Sequence, residues 1–263
     1  MTQTLLTRRD EGAVATLTMT APATLNALSV PMLAALAEAF ARLEGDTAIR
    51  AVVLRGEGKA FCAGHDLREM QAARRSADGG RAWFSELFAR AAAVMQAIPR
   101  LPQPVIAEVH GIATAAGCQL VASCDMAVAA EGTRFGVNGV NIGLFCSTPM
   151  VALTRNIPRK SAFEMLTTGA FIDADRALAL GLVNRVVPAK GLSEETAGLA
   201  RSVAGKLGAA VRIGKQAFYE QAAMDTAGAY AYAGRVMAEN MMLRDTDEGI
   251  CAFLDKRKPD WPV

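Results

Sequence analysis

Three runs of small and β-branched residues, Ala51-Val-Val-Leu-Arg55, Val105-Ile-Ala-Glu-Val109 and Asp125-Met-Ala-Val-Ala-Ala130, are separated by stretches with helical periodicity. Parallel strands need long crossovers, and the crossover helices then cover the sheet, so such strands read as nearly unbroken apolar runs. That order restricts the chain to an α/β fold with much parallel pairing. Ahead of these runs, Gly12–Thr20 alternates apolar and polar residues and reads as a half-buried strand. Ser29 is placed to cap a helix with Pro31 in its first turn and Met32, Leu33, Leu36, Phe40 and Leu43 on one face. Gly56-Glu-Gly-Lys59 closes the second strand, helical patterns run from about 66 to 73 and 81 to 98, and Leu101-Pro-Gln-Pro104 stops the second of them. A helix at about 116 to 123 precedes Asp125–Ala130, and Arg134-Phe135 is a short extended piece. A strand–strand–helix unit therefore recurs two to four times, with no repeat at the level of sequence.

After about residue 147 the pattern turns helical. Asp173 can cap a helix ending at Gly181, Leu182–Val187 is a last strand, and Ser193 can cap a helix with Glu194 and Glu195 in its first turn. The remainder is alanine-rich helix with Met224, Met237, Met241 and Met242 on faces that pack on the core or on another subunit. The division is a core over 1–195 and a helical region over 196–263.

The 263 residues are 52% hydrophobic, enough for a large core. A formal net charge of +2 lacks the basic surplus that nucleic acid calls for. The segment Met1–Asp10 has no apolar run of the kind a secretory signal carries. Pro104–Ala130 is broken by Glu108, His110, Gln119 and Asp125, which makes it a core strand and helix and not a membrane span. Five scattered cysteines without a CxxC pair, and only two histidines, give no metal site. An odd number of cysteines without an export signal reads as a reducing, cytoplasmic location.

Two segments carry the chemistry: Phe61-Cys-Ala-Gly-His-Asp-Leu67 and His110-Gly-Ile-Ala-Thr-Ala-Ala-Gly-Cys-Gln-Leu120. Each sets small residues just before a helical pattern, which exposes backbone N–H groups to an anionic partner. Two such donors aimed at one oxygen form an oxyanion hole, often the largest single catalytic contribution in acyl chemistry. Gly56-Glu-Gly-Lys59 lacks the spacing of a phosphate loop, and Gly136-Val-Asn-Gly139 is not a dinucleotide fingerprint.

At these segments the chain resembles the crotonase family of enoyl-CoA hydratases and isomerases. The resemblance extends through Leu25-Asn-Ala-Leu28, Glu69-Met70, Pro104-x-Ile-Ala-x-Val-x-Gly111, Cys124-Asp125, Phe135-Gly136, Gly181-Leu-Val183 and Glu248-Gly-x-x-Ala-Phe253. It implies a ββα spiral core followed by a C-terminal helical region used for assembly as a homotrimer or a dimer of trimers. It implies an acyl-CoA thioester as substrate, with coenzyme A entering as part of that substrate and no other cofactor. The family's oxyanion donors fall on the N–H groups of His65 and Ala116. Ala63, His65, Asp66, Leu67 and Arg68 fall on the stretch lining the CoA pocket, and Phe253 and Lys256 on residues that reach a neighbouring subunit's CoA. Gln119, Asn138, Asn141 and Cys146 would line the reacting end.

Hydratases of the family hold one water between two glutamates; here those positions carry Gln119 and Gly139. Neither exchanges protons as a carboxylate does, so ordinary hydration is not expected of this chain. Asp125, Glu108, Glu131 and Glu69 are poor substitutes by position. Members without both glutamates include methylmalonyl-CoA decarboxylase, which the Ala-Gly-His-Asp stretch and Val140-Asn-Ile-Gly143 also resemble, although that enzyme's tyrosine falls on Cys146. Three readings follow: enolate chemistry on an acyl-CoA, decarboxylation of an acyl-CoA, and acyl-CoA binding without catalysis. A Cys146 thiol attacking the thioester, with His65 or His110 as base, stands against a buried inert cysteine, which is much the commoner case.

Overall fold

A computed structural model describes residues 4–261. Six strands, β1 (Leu6–Glu11), β2 (Val14–Met19), β3 (Ala51–Gly56), β4 (Val105–Val109), β6 (Met126–Ala130) and β9 (Arg185–Val187), form one sheet in the order β1-β2-β3-β4-β6-β9. All its pairings are parallel except the β1–β2 hairpin. A smaller sheet holds β5 (Ile112–Thr114), β7 (Arg134–Gly136) and β8 (Ile172–Asp173).

The strand–strand–helix unit is plain in this arrangement. β4, β5 and helix α4 (Ala116–Ser123) form one turn of the spiral; β6, β7 and α5 (Ser147–Asn156) form the next. An earlier turn is β3, an isolated parallel bridge from Cys62 to Ala113, and α2 (Leu67–Ala73). Each turn thus supplies one strand to the large sheet and a short extended segment to the small one.

Side chains of a strand alternate between faces, and the large sheet divides its apolar residues accordingly. Val52, Leu54, Ala107, Val109, Ala127 and Ala129 join the main core with α1 (Val30–Glu44), α3 (Arg81–Arg100) and α4. Val53, Ile106, Val128 and Ala130 face α8 (Leu192–Ala204) through its Leu192, Ala200 and Ala204. Ser29 caps α1 as expected, its side chain accepting from the Met32 N–H, and the expected five residues are the buried ones. Burial of each such side chain is worth about 1.5–3 kcal/mol, which fixes the helix against the sheet.

Several boundaries differ from expectation. The strand placed at Gly12–Thr20 begins at Val14, because Gly12, at φ 56°, makes the hairpin turn from β1. β1 itself was hidden by its charged run Arg8-Arg9-Asp10-Glu11, which suits an exposed edge strand. The last strand spans only Arg185–Val187, since Leu182 and Val183 pack into the core as the chain leaves Gly181. Ser193 does not cap α8; it lies inside the helix and donates from Oγ to Glu108 Oε1 at 2.9 Å.

The remaining helices are α6 (Arg159–Thr168), α7 (Ala174–Leu180), capped by Asp173, and the tail helices α9 (Gly208–Gln221), α10 (Thr226–Met241) and α11 (Arg244–Leu254). Lys215 is the one buried residue of α9, and α10 buries none. Among the described residues no helix is long and apolar enough to cross a membrane.

Candidate active site

The two glycine-bearing segments lie side by side. Cys62 donates from its N–H to the Ile112 carbonyl at 3.2 Å, and its own carbonyl accepts from the Thr114 N–H at 3.1 Å. Contact is so close that a Cβ on Gly117 would sit 2.1 Å from the Cys62 oxygen, which only glycine permits. Gly64, at φ 92°, then turns the chain over the start of α4; a Cβ built there would lie 3.3 Å from the Ala116 nitrogen. The turn is held on its other side by the Leu28 N–H donating to the Gly64 carbonyl at 2.7 Å. Asn26, fully buried, secures the approach: its Oδ1 accepts from Ala21 N–H, and its Nδ2 donates to the Glu57 and Ala60 carbonyls.

Ala116 opens α4, so its N–H has no acceptor one turn back. No acceptor among the described residues takes it or the His65 N–H. Ala115, at φ 50° and ψ −119°, lies where alanine is strained, with its N–H committed to the Gly136 carbonyl at 2.9 Å. This bend leaves the next amide without an intrahelical acceptor at the positive end of the helix dipole. Ala63, by contrast, spends its N–H on the Leu25 carbonyl, so it supplies bulk and not a donor.

The His65 side chain is committed to the protein. Its Nδ1 faces the Leu28 carbonyl at 3.2 Å, its ring meets Phe88 edge-on at 5.7 Å, and burial pushes its pKa down. A carbonyl only accepts, so the ring proton belongs on Nδ1 and Nε2 keeps a lone pair. Nε2 is buried without a hydrogen-bond partner among the described residues. His110 occupies the turn from β4 to β5, not a strand-to-helix turn, with Nε2 3.0 Å from the Gly58 carbonyl.

Gln119 follows Ala116 by one helical turn and is 5% exposed; its Oε1 has no partner among the described residues. At the second position of the missing pair the backbone itself excludes a side chain. A Cβ on Gly139 would lie 2.3 Å from the Leu144 carbonyl oxygen and 2.8 Å from Cys146 Sγ. Cys146 ends that tight loop, buried at the start of α5, and desolvation raises its thiol pKa. Among the described residues no histidine bonds to it: His65 Nδ1 and His110 Nε2 face the Leu28 and Gly58 carbonyls, and His65 Nε2 has no partner. The thiol–histidine pair is therefore not assembled, and Cys146 is the buried cysteine of the commoner reading.

Asn138 accepts from the Thr114 hydroxyl at 2.6 Å through Oδ1, which orients its amide beside the oxyanion segment. Asn141 is turned toward the loop after α6, its Nδ2 3.5 Å from the Gly169 carbonyl. Asp66 caps α2 through the N–H groups of Arg68 and Glu69, leaving Leu67 and Arg68 exposed at the helix start. Phe253 and Lys256 lie exposed at the end of α11, which packs on α10.

The other carboxylates are engaged elsewhere. Glu108 faces α8, across the large sheet from α4. Asp125 accepts from Val105 N–H, Lys215 Nζ and Tyr219 OH at 2.6, 2.6 and 2.8 Å. Glu69 is not a free surface group, since its Oε2 accepts from the Val30 N–H at the start of α1. Glu131 is exposed in the β6–β7 turn. Sequence reasoning missed Thr114 and Lys215. Lys215 could have been found from the stripe Leu207, Val211, Lys215, Tyr219, in which a lysine occupies an otherwise inward-facing helical position.

A spiral of ββα turns with two neighbouring glycine-bearing segments whose His65 and Ala116 N–H groups have no acceptor among the described residues defines a class, and comparison with known proteins agrees. The family model described as enoyl-CoA hydratase/isomerase matches residues 9–262, and the chain belongs to that family. It is 44% identical over 253 residues to enoyl-CoA hydratase domain-containing protein 3, mitochondrial, of Xenopus laevis, covering 96% of this chain and 84% of the relative. The solved structure of enoyl-CoA hydratase from Mycobacterium smegmatis shares 56% identity with a TM-score of 0.95, covering 98% of this chain and 99% of that one. Human enoyl coenzyme A hydratase domain-containing protein 3 superposes with a TM-score of 0.94 at 43% identity, covering 98% and 100%. The cytoplasmic location expected from the sequence is overturned by the relatives from frog, rat and human, all named as mitochondrial. The count and spacing of cysteines, on which that expectation rested, do not identify a compartment.

Proposed function

We propose that this chain binds an acyl-CoA thioester and holds the thioester oxygen, as carbonyl and as enolate, between the N–H groups of His65 and Ala116. The observation that carries this reading is the pair of uncommitted amides brought together by Gly64 over the start of α4. In a water-excluded site such donors act on developing charge without reorganising. Coenzyme A enters as part of the substrate, along Asp66, Leu67 and Arg68, with Phe253 and Lys256 of a second copy closing on it.

Hydration at the rates of a two-glutamate enzyme is not part of this reading. Gln119 cannot ionise, and Leu144 and Cys146 occupy the space a residue-139 side chain would need. The same observation favours decarboxylation as a second reading, because loss of CO2 into an enolate needs the oxyanion hole and no general base to begin.

The test is optical. A cinnamoyl-CoA thioester absorbs at longer wavelength when its carbonyl is polarised, so titration with the protein is expected to give a red shift. Ala116→Pro removes one donor at the first residue of α4, where no intrahelical hydrogen bond is lost, and the shift is expected to collapse. An unchanged shift in that variant, or crotonyl-CoA hydration at ordinary hydratase rates, would refute the reading.

A further inference from the structure

The peptide unit joining Gly64 to His65 carries a clamp at one end and a donor at the other. Its carbonyl accepts from the Leu28 N–H at 2.7 Å, and its N–H is the uncommitted amide of His65. A trans peptide is planar with C=O and N–H pointing to opposite sides, so the bond to Leu28 aims the N–H away from Leu28. One hydrogen bond leaves the unit free to swing about that line. The His65 ring supplies a second attachment, its Nδ1 3.2 Å from the Leu28 carbonyl and its plane edge-on to Phe88. Both backbone groups of Leu28, itself fully buried, thus hold this one turn, and the two residues form an isolated parallel bridge. The pocket around the ring offers no countercharge. The segment Leu25–Ser29 and the first turn of α4 carry no charged residue. The neighbouring thiols of Cys62 and Cys118 are buried, with pKa pushed up to about 12. On α2, Asp66 caps the helix, Glu69 accepts from the Val30 N–H and Arg68 is exposed. On α3, Arg81 is exposed at the start, and Glu86 and Arg90 pair with each other on the outer face.

We propose that the His65 side chain is a positioning residue for its own amide: the neutral ring clamps the 64–65 peptide to Leu28, and the protonated ring leaves for water and releases the donor from the thioester oxygen. The inference rests on the acyl-CoA reading above and adds a proton-operated control to one of its two donors. The enclosure of Nε2 is what makes the control sharp. A proton there would create a buried N–H without an acceptor, on a cation without a counterion. Burial accordingly lowers the ring's pKa, and only the Leu28 carbonyl opposes it. A thioester gripped by the clamped amide favours the neutral ring, so by linkage the bound thioester lowers the ring's pKa further. A ring that served the ligand as a cation, beside the CoA phosphates or a developing enolate, would show the opposite sign.

Two measurements on the full-length protein test this. The chain has two histidines, so carbon-13 NMR of labelled imidazole follows both rings through a pH titration, with His110→Asn assigning them. Saturating cinnamoyl-CoA is expected to lower the pH at which His65 titrates. Optical titration with cinnamoyl-CoA is expected to show affinity falling as the pH drops from about 7.5 to 5.5, toward a limit of about tenfold per pH unit once the ring is mostly protonated. In His65→Asn, whose Nδ2 can stand in for Nδ1 on the Leu28 carbonyl without titrating, that fall is expected to be lost. Ionisation of the CoA phosphates acts alike on both proteins and cancels in the comparison. A His65 midpoint unmoved or raised by the thioester, or an equal fall in His65→Asn, would overturn the inference and leave the acyl-CoA reading standing. Absence of any binding at pH 7.5 would remove both together. The NMR midpoint is read in the protein with His65 in place, so it decides the matter even where His65→Asn does not fold.

Discussion

Ala115 is a residue whose identity works against its backbone. At φ 50° and ψ −119° an L-alanine is strained by about 1–3 kcal/mol, against about 0.4–1 kcal/mol of chain entropy that glycine would forfeit. Ala115→Gly is therefore expected to raise stability by about 1 kcal/mol in urea denaturation, with a fall in stability contradicting the strain. Gly139 is the converse case. Gly139→Glu would force Leu144 or Cys146 aside, so the expected outcome is a lowered melting temperature and no gain of crotonyl-CoA hydration. His65 adds a pH dependence. Burial lowers its folded pKa, so the unfolded chain takes up a proton at a higher pH than the folded chain does. The stability it contributes is present above the unfolded value, near 6.5, and is lost as pH falls through that value toward the folded one. Replacement by glutamine is expected to flatten the fall in melting temperature between pH 7 and pH 5.5; an unchanged slope would place the titrating group elsewhere.

Among the elements, α9 depends most on a single side chain. Lys215 Nζ donates to the carbonyls of Ile98 and Gln103 and to Asp125 Oδ2, at 2.8, 2.9 and 2.6 Å, and so ties the helix to the end of α3 and the start of β6. Desolvation pulls the lysine pKa down while Asp125 raises it, the balance lying below the ordinary value. Removing one partner leaves a buried charge uncompensated, at about 3–5 kcal/mol. Lys215→Met is expected to destabilise by that order and to expose the chain beyond about residue 205 to limited proteolysis. Adding Asp125→Asn is expected to recover part of the loss; no recovery would mean that the lysine acts through its three acceptors separately and not through the ion pair.

Over the whole molecule, the uncovered apolar surface is concentrated on the tail. Tyr230, Met237, Met242, Phe253 and Leu254 are each at least two-thirds exposed or close to it, on helices that bury almost nothing within one chain. Apolar area of this kind on a long helical arm calls for a second surface. Self-association into a trimer or a dimer of trimers is the expected state, read by analytical ultracentrifugation. Met237→Glu with Met241→Glu is expected to shift the distribution toward monomer and to leave the ββα core folded; a monomeric parent protein would refute it.

The sequence by itself determined the ββα order, the caps at Ser29 and Asp173, the inward face of α1 and the two donor segments. Each of these depends on local rules: side-chain periodicity, capping, and the steric freedom of glycine. Positions 119 and 139 could also be recognised as lacking acids without any coordinates. What only the tertiary structure decided concerns groups far apart in the chain. The fates of Glu69, Glu108 and Asp125, each a conceivable acid by residue type, were set by Val30, Ser193 and Lys215, up to 90 residues away. The space closed over Gly139 and the unpaired oxygen of Gln119 are of the same kind, because packing and hydrogen-bond satisfaction exist only once distant segments have been brought into contact.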